Sequence, residues 1–193
     1  GRYSDAKSIL KTFLAYEKDG LVPNLFPEGE SKPMYNTVDA ALLLIDAVWQ
    51  YHSRTGDDAF VKEAWPVMER IIHFYKTGTD HAISMDTDGL IRAGDGLDQV
   101  TWMDVRVNDI LPTPRHGKPV EINAYWYNAL KIMESFCSIT GCDAADYAAL
   151  AQQVKTSFLK AFYMEDKGYL KDVISGTKSD EQIRCNQIWA VSM

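Results

Sequence analysis

One short pattern occurs twice in this chain and limits how it can fold. Ser53-Arg-Thr-Gly56-Asp-Asp58-Ala59 returns as Ser138-Ile-Thr-Gly141-Cys-Asp143-Ala144, at an offset of 85 residues. Each copy lies between two apolar segments of helical period and supplies a Gly stop followed by an Asp start. Each is followed by a turn signal, Gly89-Leu90 in the first and Gly168-Tyr169-Leu170 in the second. A helical hairpin cannot bury its apolar face alone, so repeated hairpins must stack on one another. The 193 residues, 46% of them hydrophobic, are enough for one sizeable core.

The pattern predicts an α/α toroid, an all-α fold in which inner and outer helices alternate around a ring, with short β-hairpins in the loops. Ser4 to Asp19 reads as a helix stopped by Gly20, and Leu21 to Tyr35 as a loop rich in Pro and Gly. Asn36 or Thr37 is expected to cap a helix running to about Arg54. Asp57 or Asp58 caps the next, which Pro66 should kink or split. Thr79 to Thr101 holds a hairpin around Asp88-Gly89, and Asn108 to Lys118 an irregular loop. Helices follow from about Ile122 to Ile139, from Asp143 to about Ala161, and from Asn186 onward. Asn36, Asn123 and Asn186 each open the first helix of a pair. The polar residues Asp39, Asp104, Glu121, Asn123 and Arg184 then gather at one end of the ring, where loops shape a pocket.

Composition narrows the partners. The net charge of −7 and pI near 5.1 disfavour nucleic acid and anionic membranes, which need basic patches. The longest apolar run, Ala40 to Ile45, is too short to span a bilayer, and no apolar leader follows the polar Gly1 to Asp5. Cys137, Cys142 and Cys185 form no CxxC pair and are odd in number, which predicts reduced cysteines and a cytoplasmic chain. No phosphate loop, nucleophile elbow or HExxH motif occurs. His52, His73, His81 and His116 lack metal-ligand spacing, so no metal or cofactor is expected. Ser84 to Asp95 approaches calcium-loop spacing but has Arg92 at the ninth position and ends in Asp, which reads better as a hairpin turn.

The richest chemistry lies between Asp98 and Ala129. Asp104 and Glu121 stand there beside Trp102, Tyr125, Trp126 and Tyr127, with Arg115, His116 and Lys118 between them. Flat apolar faces next to hydrogen-bonding carboxylates suit a sugar ring, and carboxylates are the usual acid and base of glycosidic cleavage. As a general acid, Asp104 needs the apolar surroundings that Trp102 and Met103 offer; the competing reading is an Asp that braces a loop. Glu121 is either a sugar ligand or a first-turn Glu favoured by the helix dipole, and Asp39 carries the same ambiguity. Tyr125, Trp126 and Tyr127 point in different directions on a helix, so one or two must be core. Trp49, Trp65 and Trp189 read as core.

Tyr35-Asn-Thr-Val-Asp39-Ala40, Gln99-Val-Thr-Trp-Met-Asp104, Thr113-Pro-Arg-His-Gly-Lys-Pro-Val-Glu-Ile-Asn123-Ala124, Trp126-Tyr-Asn-Ala-Leu130 and Ile183-Arg-Cys-Asn-Gln187 resemble the C-terminal amylo-α-1,6-glucosidase domain of glycogen debranching enzymes. The resemblance runs in order through residues 1–193. It implies an (α/α)6 toroid that hydrolyses the α-1,6-linked glucose at branches of glycogen or limit dextrin, with inversion. It makes Asp104 the general acid. Tyr35, Asp39, Trp102, Arg115, Glu121, Asn123 and Trp126 fall on substrate-binding positions, and Lys118, Arg184 and Asn186 on supporting ones.

In that family a segment holding the terminal sugar lies before the position of Gly1, and the general base lies after that of Met193. The expectation is therefore a fragment of one domain, inactive alone, that self-associates or belongs to a longer parent. A non-catalytic carbohydrate-binding or assembly module of the same architecture is the alternative. An epimerase or trehalase of the same fold is a further one.

Overall fold

The computed structural model describes residues 1–29 and 32–193. Positions 30 and 31, within the expected Leu21 to Tyr35 loop, lie outside the described residues. About half of the chain is helical, and its strands are two or three residues long. Five longer helices form the body: α1 (Tyr3–Ala15), α2 (Ala40–Thr55), α3 (Asp58–Thr77), α4 (Val120–Thr140) and α5 (Ala145–Phe162). A 3-10 turn, Cys185–Ile188, leads into the short α6 (Trp189–Ser192). Among the described residues no helix is long and apolar enough to cross a membrane.

The repeated pattern makes two equivalent corners. Gly56 (φ 66°) ends α2 and Gly141 (φ 81°) ends α4, both in the left-handed region where a Cβ is disfavoured. The Gly56 N–H reaches the His52 carbonyl and the Gly141 N–H the Cys137 carbonyl, each at 2.8 Å. The next helices start differently. The Asp57 carboxylate accepts from the Phe60 N–H at 3.0 Å, whereas Asp143 accepts from the Ala145 N–H at 2.9 Å.

Both corners are tied back to the preceding helix. In the first, His52 meets Asp58 at 2.8 Å. In the second, Cys137, which occupies the position of His52 in the repeat, forms a disulfide with Cys142. The expectation of three unpaired thiols is corrected here: Cys185 alone is free, and it is exposed. Five residues separate Cys137 from Cys142, and the αL turn at Gly141 brings their Cα atoms to 4.7 Å, within disulfide range.

Helix α4 is the centre of the packing. It contacts α2, α3, α5 and α6. Trp126 is fully buried on it, stacked on Tyr75 of α3 at 6.1 Å between ring centroids. Such packing resembles two layers of helices sharing one core. Trp65 is core as expected, but Trp49 and Trp189 are each 37% exposed, at the margins of the body. Pro66 lies inside α3, which continues through it unsplit. Lys62, whose carbonyl loses its helical partner there, is exposed, so water can satisfy it.

Three small sheets accompany the helices. β1 (Ser84–Met85) pairs with β2 (Ile91–Arg92) antiparallel, as the Asp88-Gly89 turn predicts. β4 (Tyr163–Met164) pairs with β5 (Tyr169–Leu170) around Gly168. A third sheet was not expected: β3 (Lys118–Pro119), β6 (Val173–Ser175) and β7 (Lys178–Asp180), in the order β3-β6-β7. It carries Asp172 to the base of α4, where the Val120 N–H donates to the Asp172 carbonyl at 3.0 Å.

Candidate active site

The start of α2 is later than expected. Its N-cap is Asp39, and Asn36 to Val38 form a non-helical lead that hydrogen-bonds to the loop before Asp104. The Asn36 side chain donates to the Gln99 carbonyl at 3.0 Å, and the Val38 N–H to the Val100 carbonyl at 2.9 Å. Behind them, the buried Tyr75 hydroxyl donates to the Val38 carbonyl at 2.7 Å. Asp39 and Asp104 are thus held on two adjoining strands of loop. Burial raises the Asp39 carboxyl above its ordinary value, and the negative charge of Asp104 adds to the rise.

Asp104 is 6% exposed. Its Oδ2 accepts from the N–H groups of Val100 and Thr101, both at 3.0 Å. Its Oδ1 is buried and has no hydrogen-bond partner. One oxygen therefore fixes the carboxyl to its loop while the other is uncommitted. An uncommitted buried carboxyl oxygen has a standing need for a donor or a proton. Asn36 Oδ1 and Thr37 Oγ1 are likewise buried without partners, on the segment facing this loop.

Trp102, two residues before Asp104, is 58% exposed, yet its Nε1–H donates to Asn186 Oδ1 at 2.9 Å. Asn186 is fully buried and donates from Nδ2 to Asp172 Oδ1 at 2.7 Å. Asp172 in turn faces Arg115, whose Nε donates to Asp172 Oδ2 at 3.0 Å. The Arg115 guanidinium also forks onto Glu121, with Nη2 to Oε2 at 2.7 Å and Nη1 bonded to Oε1. Nη1 reaches Thr101 Oγ1 at 3.4 Å, which links the network back to the Asp104 loop. Arg184 closes the far side, 3.5 Å from Asp172 and 3.1 Å from Asp180.

Arg115, Glu121 and Asp172 are all fully buried. Bidentate pairing is what lets such charges leave water. Burial works to lower the Arg115 guanidinium, but the hydrogen bonds and charges of Glu121 and Asp172 together outweigh it and hold the group above its usual range. Burial pushes the Glu121 carboxyl up, and the Arg115 fork pulls against it.

The expected residues thus fall into groups. Asp39, Trp102, Asp104, Arg115, Glu121, Arg184 and Asn186 are brought together, joined by Thr101 and Asp172, which the sequence did not single out. Of these, Trp102 presents an open face. Arg115 and Glu121 have internal partners and no exposed surface, so they brace the site from beneath. Asn123 is also wholly buried: its Oδ1 accepts from the Ile91 N–H at 2.7 Å and its Nδ2 donates to the Ile91 carbonyl at 3.1 Å. It pins the β1–β2 hairpin to α4. Trp126 Nε1–H donates to the Gly89 carbonyl at 3.0 Å, holding the same hairpin.

Lys118 is engaged elsewhere, by Asp86 at 2.9 Å and Asp88 at 2.8 Å. This lysine neutralises the acidic pair that gave the hairpin its calcium-like spacing. The Tyr35 hydroxyl donates to the Tyr16 carbonyl at 2.9 Å, toward the end of α1. Among the described residues no group of His, Cys, Asp or Glu could hold a metal ion.

The arrangement offers a carboxyl with one uncommitted oxygen, a second carboxyl raised by burial, and a flat exposed indole. A curated α-L-rhamnosidase from Formosa agariphila is 28% identical over 147 residues, covering 75% of this chain and 14% of that protein. A rhamnosidase from Klebsiella oxytoca, solved with rhamnose bound, superposes over 98% of this chain and 34% of its own, with TM-score 0.74 and 20% identity. The GH78 family rhamnosidase of Bacillus sp. GL1 gives TM-score 0.72 at 18% identity, over 94% of this chain and 18% of its own. The chain therefore shares its fold with these structures and spans about a third of their length or less. The family model described as amylo-alpha-1,6-glucosidase matches residues 1–193. The chain belongs to the amylo-alpha-1,6-glucosidase family of glycoside hydrolases.

Proposed function

We propose that this chain carries the acid side of a glycoside hydrolase site acting on α-1,6-linked glucose of a branched α-glucan. The stacked hairpins form part of an α/α toroid, and Asp104 is the general acid. The observation that carries the reading is the Asp104 carboxyl, anchored by Oδ2 and uncommitted at Oδ1, two residues from an exposed indole. Anchoring fixes the direction in which the acid delivers its proton to the departing glycosidic oxygen. Trp102 supplies the flat apolar surface for a sugar ring. Asp39, with its carboxyl raised by burial, accepts or donates to a sugar hydroxyl. Inversion requires a base about 6.5–9.5 Å from the acid, on the other side of a water. Arg115 and Glu121, buried and mutually paired, do not serve as that base.

A second reading is an α-L-rhamnoside as substrate, which the similarity to rhamnosidases favours. One experiment separates them. Calorimetric titration with a branched limit dextrin and with L-rhamnose is run beside a glucose-release assay, on the chain and on Asp104→Asn. The proposal expects limit dextrin to bind both proteins, and any glucose release to disappear in Asp104→Asn. Release that persists in that variant, or no binding of limit dextrin, would refute it. Preference for L-rhamnose would move the substrate to the rhamnosides.

A further inference from the structure

Trp102 combines two properties that seldom occur together. More than half of the residue is exposed, and its one polar atom is fixed by a fully buried partner. The partner's orientation is itself dictated. Asp172 meets Asn186 through a carboxylate oxygen, which accepts only, and an indole N–H donates only. The Asn186 amide therefore has one arrangement that serves both: Nδ2 toward Asp172 and Oδ1 toward Trp102. Asp172 is immobilised in turn by Arg115, and Arg115 by Glu121. A line of buried hydrogen bonds thus runs from the ion network to the edge of an exposed ring. Trp102 and Asn186 are 84 residues apart, so the link is tertiary and unavailable to the loop alone.

We propose that Asn186 is a positioning residue, and that Asp172 orients its amide so that the Trp102 indole stands as a rigid platform for one pyranose face. The inference rests on the saccharide reading of the site. A ring fixed by its edge loses no rotamer freedom when a sugar stacks on its face. Freeing it should weaken saccharide binding by roughly 3- to 10-fold, the usual cost of immobilising one side chain.

The test reads the ring and the affinity separately. In 15N–1H spectra the Trp102 indole signal is assigned by its loss in Trp102→Phe. Its N–H should exchange with water slowly in the unaltered chain, despite the exposed ring; exchange as fast as a free indole overturns the inference without any variant of Asn186. In Asn186→Leu the signal should move to the free-indole position and limit-dextrin affinity should fall by the stated factor. Combining Asn186→Leu with Trp102→Phe should cost little beyond either change alone, because both remove one link. An unmoved indole signal, or losses that simply add, overturns the proposal. If the unaltered chain binds no saccharide while the indole is protected and responds to Asn186→Leu, the anchoring stands and the saccharide reading falls.

Discussion

Replacing Arg115 with Met should expose how the site is held. The side chain is fully buried and hydrogen-bonds two carboxylates, Glu121 and Asp172, that are fully buried themselves. Met keeps much of the volume and removes the charge. Glu121 then has no cationic partner, while Asp172 keeps Arg184 at 3.5 Å and Asn186 at 2.7 Å. Breaking a buried pair from one side costs about 3–5 kcal/mol, because the remaining charge stays out of water. For a chain of this size that corresponds to a melting temperature lower by about 6–20 °C. The double variant Arg115→Met/Glu121→Gln removes the stranded charge and should recover a large part of the loss. Urea unfolding followed by tryptophan fluorescence measures both, with linear extrapolation to water. A loss within about 1 kcal/mol for Arg115→Met, below the cost of a broken buried pair, would mean that Arg115 does not hold the site in this way. So would a double variant less stable than the single one.

Further outcomes follow from other parts of the structure. The Asp39 carboxyl is raised above 3.8 by burial, so folding favours its protonated form. Its contribution is full at acid pH and is lost as pH rises through the folded value; Asp39→Asn should therefore be more stable than the unaltered chain at neutral pH, with the difference vanishing in acid. The same substitution should weaken limit-dextrin binding, a trade of function for stability that calorimetry would show. Gly117 has φ 105°, and a Cβ there would lie 2.3 Å from the Ile174 carbonyl. Gly117→Ala should cost more than about 1 kcal/mol in the same unfolding assay and disturb the β3–β6 pairing. With Cys137 and Cys142 paired, a thiol titration of the native chain should find one reactive group, Cys185. Reduction should lower stability by about 2 kcal/mol, the loop-closure value for so short a loop.

The corners were legible because their signals are local. Gly56 and Gly141 need the left-handed region whatever surrounds them, and Asp88-Gly89 makes a hairpin from its own backbone preferences. What the sequence concealed is tertiary. Asn36 and Thr37 have the chemistry of helix caps, but the Val38 N–H is drawn to the Val100 carbonyl and the cap falls at Asp39. Asp172 sits between a short hairpin and an unremarkable strand, and nothing nearby marks it as the partner of Arg115, 57 residues away. The Cys137–Cys142 link is invisible to spacing alone, because it depends on the αL turn that folds one cysteine back onto the other. Asn123 and Trp126 share a motif with pocket residues, yet their side chains point beneath the β1–β2 hairpin and are spent on its backbone.

Saccharide binding where Trp102 and Asp104 meet the start of α2 is tested by a 15N–1H titration of the chain with a branched limit dextrin. Shifts are expected at the Trp102 indole and at the amides of Thr101 to Asp104 and of Asp39 and Ala40. Shifts confined to the polar cleft around Arg92, Asp95 and His116, or no shifts at all, would contradict it.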